Sequence, residues 1–254
     1  MFGKLFGKLM PTASTAAKDA SGSGPDAVGG PEAALLAAIE RQKKTDPLIG
    51  AKIAGKDLAN RLLAALKDDK GEHVESLLCA LGSLAGYACQ ASLREQAIGR
   101  KMSPDAAFQI ARTKDGQRFF FGDPLNSALA GGQLSVWSLA AGAAQHNGAQ
   151  KLPDINGIFQ RTAANIGSAE FGVPRTASGH AASELPIAYL RRFWPALLPF
   201  VKKLTGDPQL WPVAYGFAIQ DAMDMTKTAI PAELALSIVM EAAIPMSKVD
   251  LKLG

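Results

Sequence analysis

From Ser76 to Leu93 the chain carries no formal charge, and both of its cysteines, Cys79 and Cys89, lie inside that run. A segment like this can cross a membrane, hold a disulfide or fill a core, and the choice constrains everything packed around it. A bilayer span needs about 20 predominantly apolar residues. Ser76, Ser83, Gln90 and Ser92 interrupt this run, and Gly82 and Gly86 dilute it, so no transmembrane segment is expected here. The uncharged stretch from Leu125 to Gln150 holds Asn126, Gln133, Gln145 and Asn147 and is weaker still. In one helix, cysteines ten residues apart stand about 15 Å from each other. A disulfide needs Cα atoms within about 7 Å. Two free thiols are therefore expected, which fits a reducing, cytoplasmic compartment. A reactive thiolate needs a basic neighbour, and none sits at helical spacing.

A buried helix is the remaining reading. Val74, Leu77, Leu78, Leu81, Leu84 and Ala88 form one apolar face, and Gly82-x-x-x-Gly86 with the cysteines forms a second, small-residue face. A helix apolar on most sides is a central one, and cysteine packs there as a small hydrophobe. The sequence thus predicts a buried central helix over 72–100.

The rest of the chain agrees with an all-α fold. Alanine is the commonest residue, and alanine loses no side-chain entropy in a helix. Pro31 opens PEAALLAAIERQKK with a carboxylate beside it, and basic residues close it, both suited to the helix dipole. Leu58, Leu62, Leu63 and Leu66 recur at helical spacing in the next segment. Ser103 caps an expected helix over PDAAFQIARTK, and RFFF (118–121) is the one strand candidate, enough for a single short hairpin near 117–121. Pro195 and Pro199 are expected to interrupt a helix after Leu185, and Asp207-Pro208 to cap the next. The dipeptide WP recurs at 194–195 and 211–212 without amounting to a repeat. The expectation is one globular domain, 31–254, of about nine to eleven helices.

Residues 1–30 differ. MFGKLFGKLM repeats FGKL, and a small, polar, Gly- and Pro-containing stretch follows. By composition this is a flexible tail and linker. Gly3, Lys4, Gly7 and Lys8 break any secretory core. Residues 1–10 could give weak membrane-surface contact or dock on a protein partner. Net charge is +4, with Lys and Arg scattered rather than striped, so nucleic acid is not indicated.

Chemistry is expected where polar residues meet apolar runs. His73 and Glu75 open the central helix, with Glu72 three residues before Glu75 on the same face. Asp221 and Asp224 repeat that spacing in an apolar helix. Paired carboxylates on facing helices can hold a metal, so Glu72, Glu75, Asp221 and Asp224, with His73, form a candidate set for metal-assisted hydrolysis. The Glu-x-x-His signature of such bundles is missing, and His73, His146 and His180 match no common zinc spacing. Asp123 and Asn126, in FFFGDPLNSAL, read as helix-capping residues at an anion-competent turn.

The aperiodic stretch 168–186 contains Glu170, Arg175, Ser178, His180 and Glu184 and reads as a lid or recognition loop. A hydrolase triad is not expected there, since no G-x-S-x-G elbow accompanies it. Glu241 sits alone in IVMEAAIPM and needs a partner, with Arg161, Arg191 or Lys248 available. No phosphate loop or dinucleotide fingerprint appears, and the sequence points to no cofactor. The expected function is non-catalytic: a helical binding or adaptor protein for a protein partner or small ligand. Metal-assisted hydrolysis and membrane-surface binding are the alternatives.

Overall fold

The structure, a computed structural model, describes residues 30–68 and 71–251. The expected tail, apart from Gly30, lies outside the described residues. Two compact units divide at Leu35, and the second holds the core and every site described below.

Helices dominate, as expected. They are α1 (Pro31–Gln42), α2 (Ile49–Leu66), α3 (Val74–Gly99), α4 (Asp123–Asn126), α5 (Val136–His146), α6 (Ile155–Ala164), α7 (Pro186–Thr205), α8 (Leu210–Thr226) and α9 (Ala232–Met246). Among the described residues only α4 is a single turn; the remaining eight fall just short of the expected number.

The uncharged run became α3, and every residue from Ser76 to Gln90 is buried. Length and composition would allow α3 to cross a membrane, yet 89% of its most apolar window is covered by the rest of the protein. Its small-residue face explains how. A Cβ added at Gly82 would stand 2.3 Å from the Val239 carbonyl oxygen, and one at Gly86 would stand 2.0 Å from that of Ala243. Both pairs advance by four residues, so α3 and α9 run in the same direction with backbones in contact. Only glycine permits that approach. The same device recurs in α2, where a Cβ at Gly50 would meet the Leu204 oxygen of α7 at 2.3 Å.

On the opposite flank α7, α8 and α3 share an aromatic seam. Trp194 meets Tyr87 edge-on at 4.9 Å between ring centroids and stacks on Tyr215 at 6.1 Å. That packing corrects one expectation. Pro195 and Pro199 lie inside α7, which continues through both. Tyr189, Leu190, Trp194, Leu197 and Val201 are buried along one face, and this burial outweighs the local cost of the prolines.

The segment after α3 is a second correction. Ser103 starts only a turn, and the expected helix over PDAAFQIARTK is replaced by strand β3 (Gln109–Arg112). It pairs antiparallel with β4 (Arg118–Phe121), Gln109 facing Phe121 and Arg112 facing Arg118. The turn between them uses Gly116 at φ +84°. Tertiary contacts override helix propensity here. Phe108 packs edge-on against Phe120, and Arg118 reaches both Asp105 and Asp250. On its other edge β4 takes the C-terminal segment, with the Phe120 N–H donating to the Lys248 carbonyl at 2.9 Å. A minimal antiparallel pair, Lys67–Asp68 with Gly71–Glu72, precedes α3 where only a helix stop was expected.

Candidate functional site

Glu241 projects from α9, among the most apolar elements of the fold, and is only 8% exposed. An ionised carboxylate in such a place requires partners. Arg161 of α6 supplies one through its Nη2, and the backbone N–H of Arg175 supplies another at 3.3 Å from Oε2. Of the three cations expected to serve Glu241, Arg161 does so. Asp154 positions α6 by accepting from the Gly157 N–H at its N-terminus, 3.1 Å. Around this pair lies a cleft of about 360 Å³. Ile158, Thr162 and Pro245 give it apolar surface, while Asn165, Glu170 and the two arginines give it polar surface.

One wall of the cleft is the loop 168–186, and it is held at several points. Near its start Phe171 packs edge-on against Phe119 of β4, with centroids 4.8 Å apart. In the middle the Arg175 backbone is fixed to Glu241. Further on, His180 Nδ1 lies 2.9 Å from Glu75 Oε1. Ser183 donates its N–H to the Ser76 hydroxyl at 3.0 Å, and the two hydroxyls are 2.6 Å apart. The Glu184 N–H donates to the Tyr189 hydroxyl at 3.1 Å. The start of α3, α7, α9 and the hairpin therefore all anchor the loop. Glu170 and Arg175 remain exposed on the cleft. Among the described residues neither side chain has an ion-pair or hydrogen-bond partner.

The other sequence candidates separate. His180 and Glu75 meet, but as a clasp of the loop onto α3, and both are partly exposed. His73 precedes α3 as its N-cap residue without a side-chain cap bond. Glu72 lies in the minimal strand before it. Asp224 is engaged elsewhere, accepting from Asn147 Nδ2 at 2.8 Å. Asp221 is half-buried beside Lys56, and burial raises its carboxyl above the usual range. Among the described residues, no three or more His, Cys, Asp or Glu side chains gather to hold a metal ion. The cysteines are free and buried, and desolvation pushes both thiols up to about 12.

Asp123 does not cap a helix, which corrects the capping expectation. The residue at that position is Gly122, at φ +132°, and no side chain closes the turn. The local reason is that Asp123 is itself the first helical residue, one place too late to cap. Asn126 does take a role, though a different one: its Oδ1 accepts from Lys248 Nζ at 2.9 Å. Lys248 is 2% exposed, and burial lowers its ammonium to about 8. Sequence reasoning treated it only as a partner for Glu241. It also passed over Arg175 except as a loop residue. No periodic signal marks either, because each is placed by a contact between distant segments.

No protein family, no curated protein and no solved structure matches this chain. The site's own chemistry is therefore the ground for a functional reading.

Proposed function

We propose that this protein is a non-catalytic binding protein that takes a small zwitterionic ligand into the cleft between α6, α9 and the loop 168–186. The observation that carries this reading is the placement of the Glu241–Arg161 pair, its carboxylate buried and its guanidinium partly exposed, in the lining of that cleft. Burying an ion pair costs about as much as its mutual attraction returns, and an apolar pair of the same shape often serves stability as well. Stability alone gives little reason for the pair; recognition gives one. The rim supports the same reading. Arg175 offers a guanidinium that suits a carboxylate bidentately, and Glu170 offers a carboxylate for an ammonium. The volume lies within the usual range for small-molecule sites, roughly 300–1,000 Å³. Two buried free thiols fit the cytoplasmic setting expected from the sequence.

The test is a thermal-shift and calorimetric panel of the standard amino acids and short peptides. At least one should raise the melting temperature of the full chain, as any ligand of the native state does. R175A and E170A, both at exposed positions, should fold normally and weaken that binding about tenfold, a typical loss for one charge-assisted contact. A panel with no saturable ligand, or affinities equal in both variants, would remove the cleft from the account. The membrane-surface reading, and the docking tag of the adaptor reading, rest on residues 1–10, outside the described residues. Deleting residues 1–30 tests them separately and should leave cleft binding unchanged.

A further inference from the structure

Lys248 is among the most deeply buried large side chains, at 2% exposure. Its Nζ hydrogen-bonds Asn126 Oδ1 and otherwise faces the rings of Phe121 and Phe159, 5.5 and 5.6 Å to their centroids. An ammonium has three donors, and one acceptor plus two ring faces is a thin complement. No carboxylate pairs with it among the described residues; Glu241, seven residues earlier, is engaged by Arg161 and Arg175. Buried charges are ordinarily paired with an opposite charge, and among the described residues Lys248 has none. Cation–π attraction offsets part of the desolvation. Burial depresses the ammonium toward neutrality, and the neighbouring Cys89 opposes this in part.

Two of the three side chains around Nζ are also the wall of a second cleft. Asn126 and Phe159 line a depression of about 580 Å³ together with Ser127, Asn156 and Gln160. Among the described residues its polar lining consists of three amides and a hydroxyl, all able to donate, without a carboxylate. Asn126 links the two environments. Its oxygen accepts from the lysine, which polarises the amide and leaves Nδ2 as the donor Asn126 can offer the cleft.

We infer that this second cleft is a binding site for a small oxyanion, held by the amides and hydroxyl of Asn126, Ser127, Asn156 and Gln160, with Lys248 as the fixed positive charge behind its wall. Carboxylates and phosphates share the required chemistry. The site is independent of the zwitterion cleft, since α6 presents different residues to each: Arg161 and Thr162 to the first, Asn156 and Gln160 to the second.

The experiment titrates the full chain with inorganic phosphate and, separately, with acetate at constant ionic strength, by calorimetry and amide chemical-shift mapping. Saturable binding of at least one is expected, and the tighter of the two identifies the class. K248M should weaken that binding at least tenfold. N156A and Q160A, at the cleft surface, should each weaken it about threefold, and they decide the matter if K248M does not fold. R175A should leave it unchanged. Absence of saturable binding by both anions overturns the inference. So does unaltered affinity in K248M with N156A and Q160A, or loss of affinity in R175A, which would place the anion in the first cleft.

Discussion

The α3–α9 contact and the loop 168–186 show two ways of holding a chain in place. Across α3 and α9 two backbones touch through glycines, and Gln90 of α3 adds buried bonds to the Ser247 and Val249 carbonyls just past α9. The loop has no regular structure and is held by a clasp of polar groups: His180 on Glu75, Ser183 on Ser76, Arg175 on Glu241. The first contact is mainly dispersion and burial, which tolerate no added volume. The second is a series of partly exposed hydrogen bonds, each individually weak. A rigid half of this kind can carry a binding cleft whose wall is adjustable, and local openings are expected to concentrate where polar tethers replace packing.

Substitutions can break the comparison at either end. The largest effect is expected from G86A, because its Cβ would stand 2.0 Å from a backbone oxygen that cannot move alone. A loss of at least about 3 kcal/mol in chemical denaturation, with G82A close behind, follows from overpacking. A loss below about 1 kcal/mol would mean that α3 and α9 can slide apart freely. E241Q comes next. It leaves Arg161 facing a neutral partner in the lining of the cleft, and a cost of about 2 kcal/mol is expected, below the full cost of a broken buried pair because Arg161 is partly exposed.

Lys248 gives a smaller effect with a definite sign. Its folded ammonium loses its proton near 8, whereas an unfolded lysine holds it to about 10.4. Above pH 8 the unfolded chain binds more protons, so stability rises with pH. The buried thiols act in the opposite sense: they stay protonated to about 12 when folded and ionise near 8.5 when unfolded. The difference between the wild type and K248M removes the thiol contribution. That difference should move in favour of the wild type by about 1 kcal/mol from pH 8 to pH 9. A flat difference would show that the lysine is not held away from water. H180A should cost least, a few tenths of a kcal/mol at most, since the His180–Glu75 pair is partly exposed. Its readout is local: faster amide exchange in 177–184 with α3 unchanged. Equal acceleration in α3 would make the loop part of the rigid half.

The sequence made the rigid half legible. A charge-free run with glycines four apart and both cysteines inside it has few other uses, and α3 lies within two residues of its expected ends. Glu241 was legible for a related reason, as a lone carboxylate in an apolar helix must find a partner. The hairpin was half legible. RFFF is strand-like by side chain, but AAFQIAR reads as helix and becomes β3 through its pairing with β4, whose Phe120 and Phe119 pack on Phe108 and Phe171. Arg175 and Lys248 were not legible as site residues. Their roles depend on which distant backbone or amide lies opposite, and local sequence carries no record of that. Asp123 failed as a cap because the helix begins one residue earlier than the pattern implies.

The most direct test of the central claim is amide chemical-shift mapping of the full chain titrated with the amino acids that shift its melting temperature. Saturable changes confined to Ile158–Asn165 and Glu170–Arg175, with the amides of Leu77–Ala88 unmoved, are the predicted result. Changes centred elsewhere, or the absence of any saturable change, would contradict it.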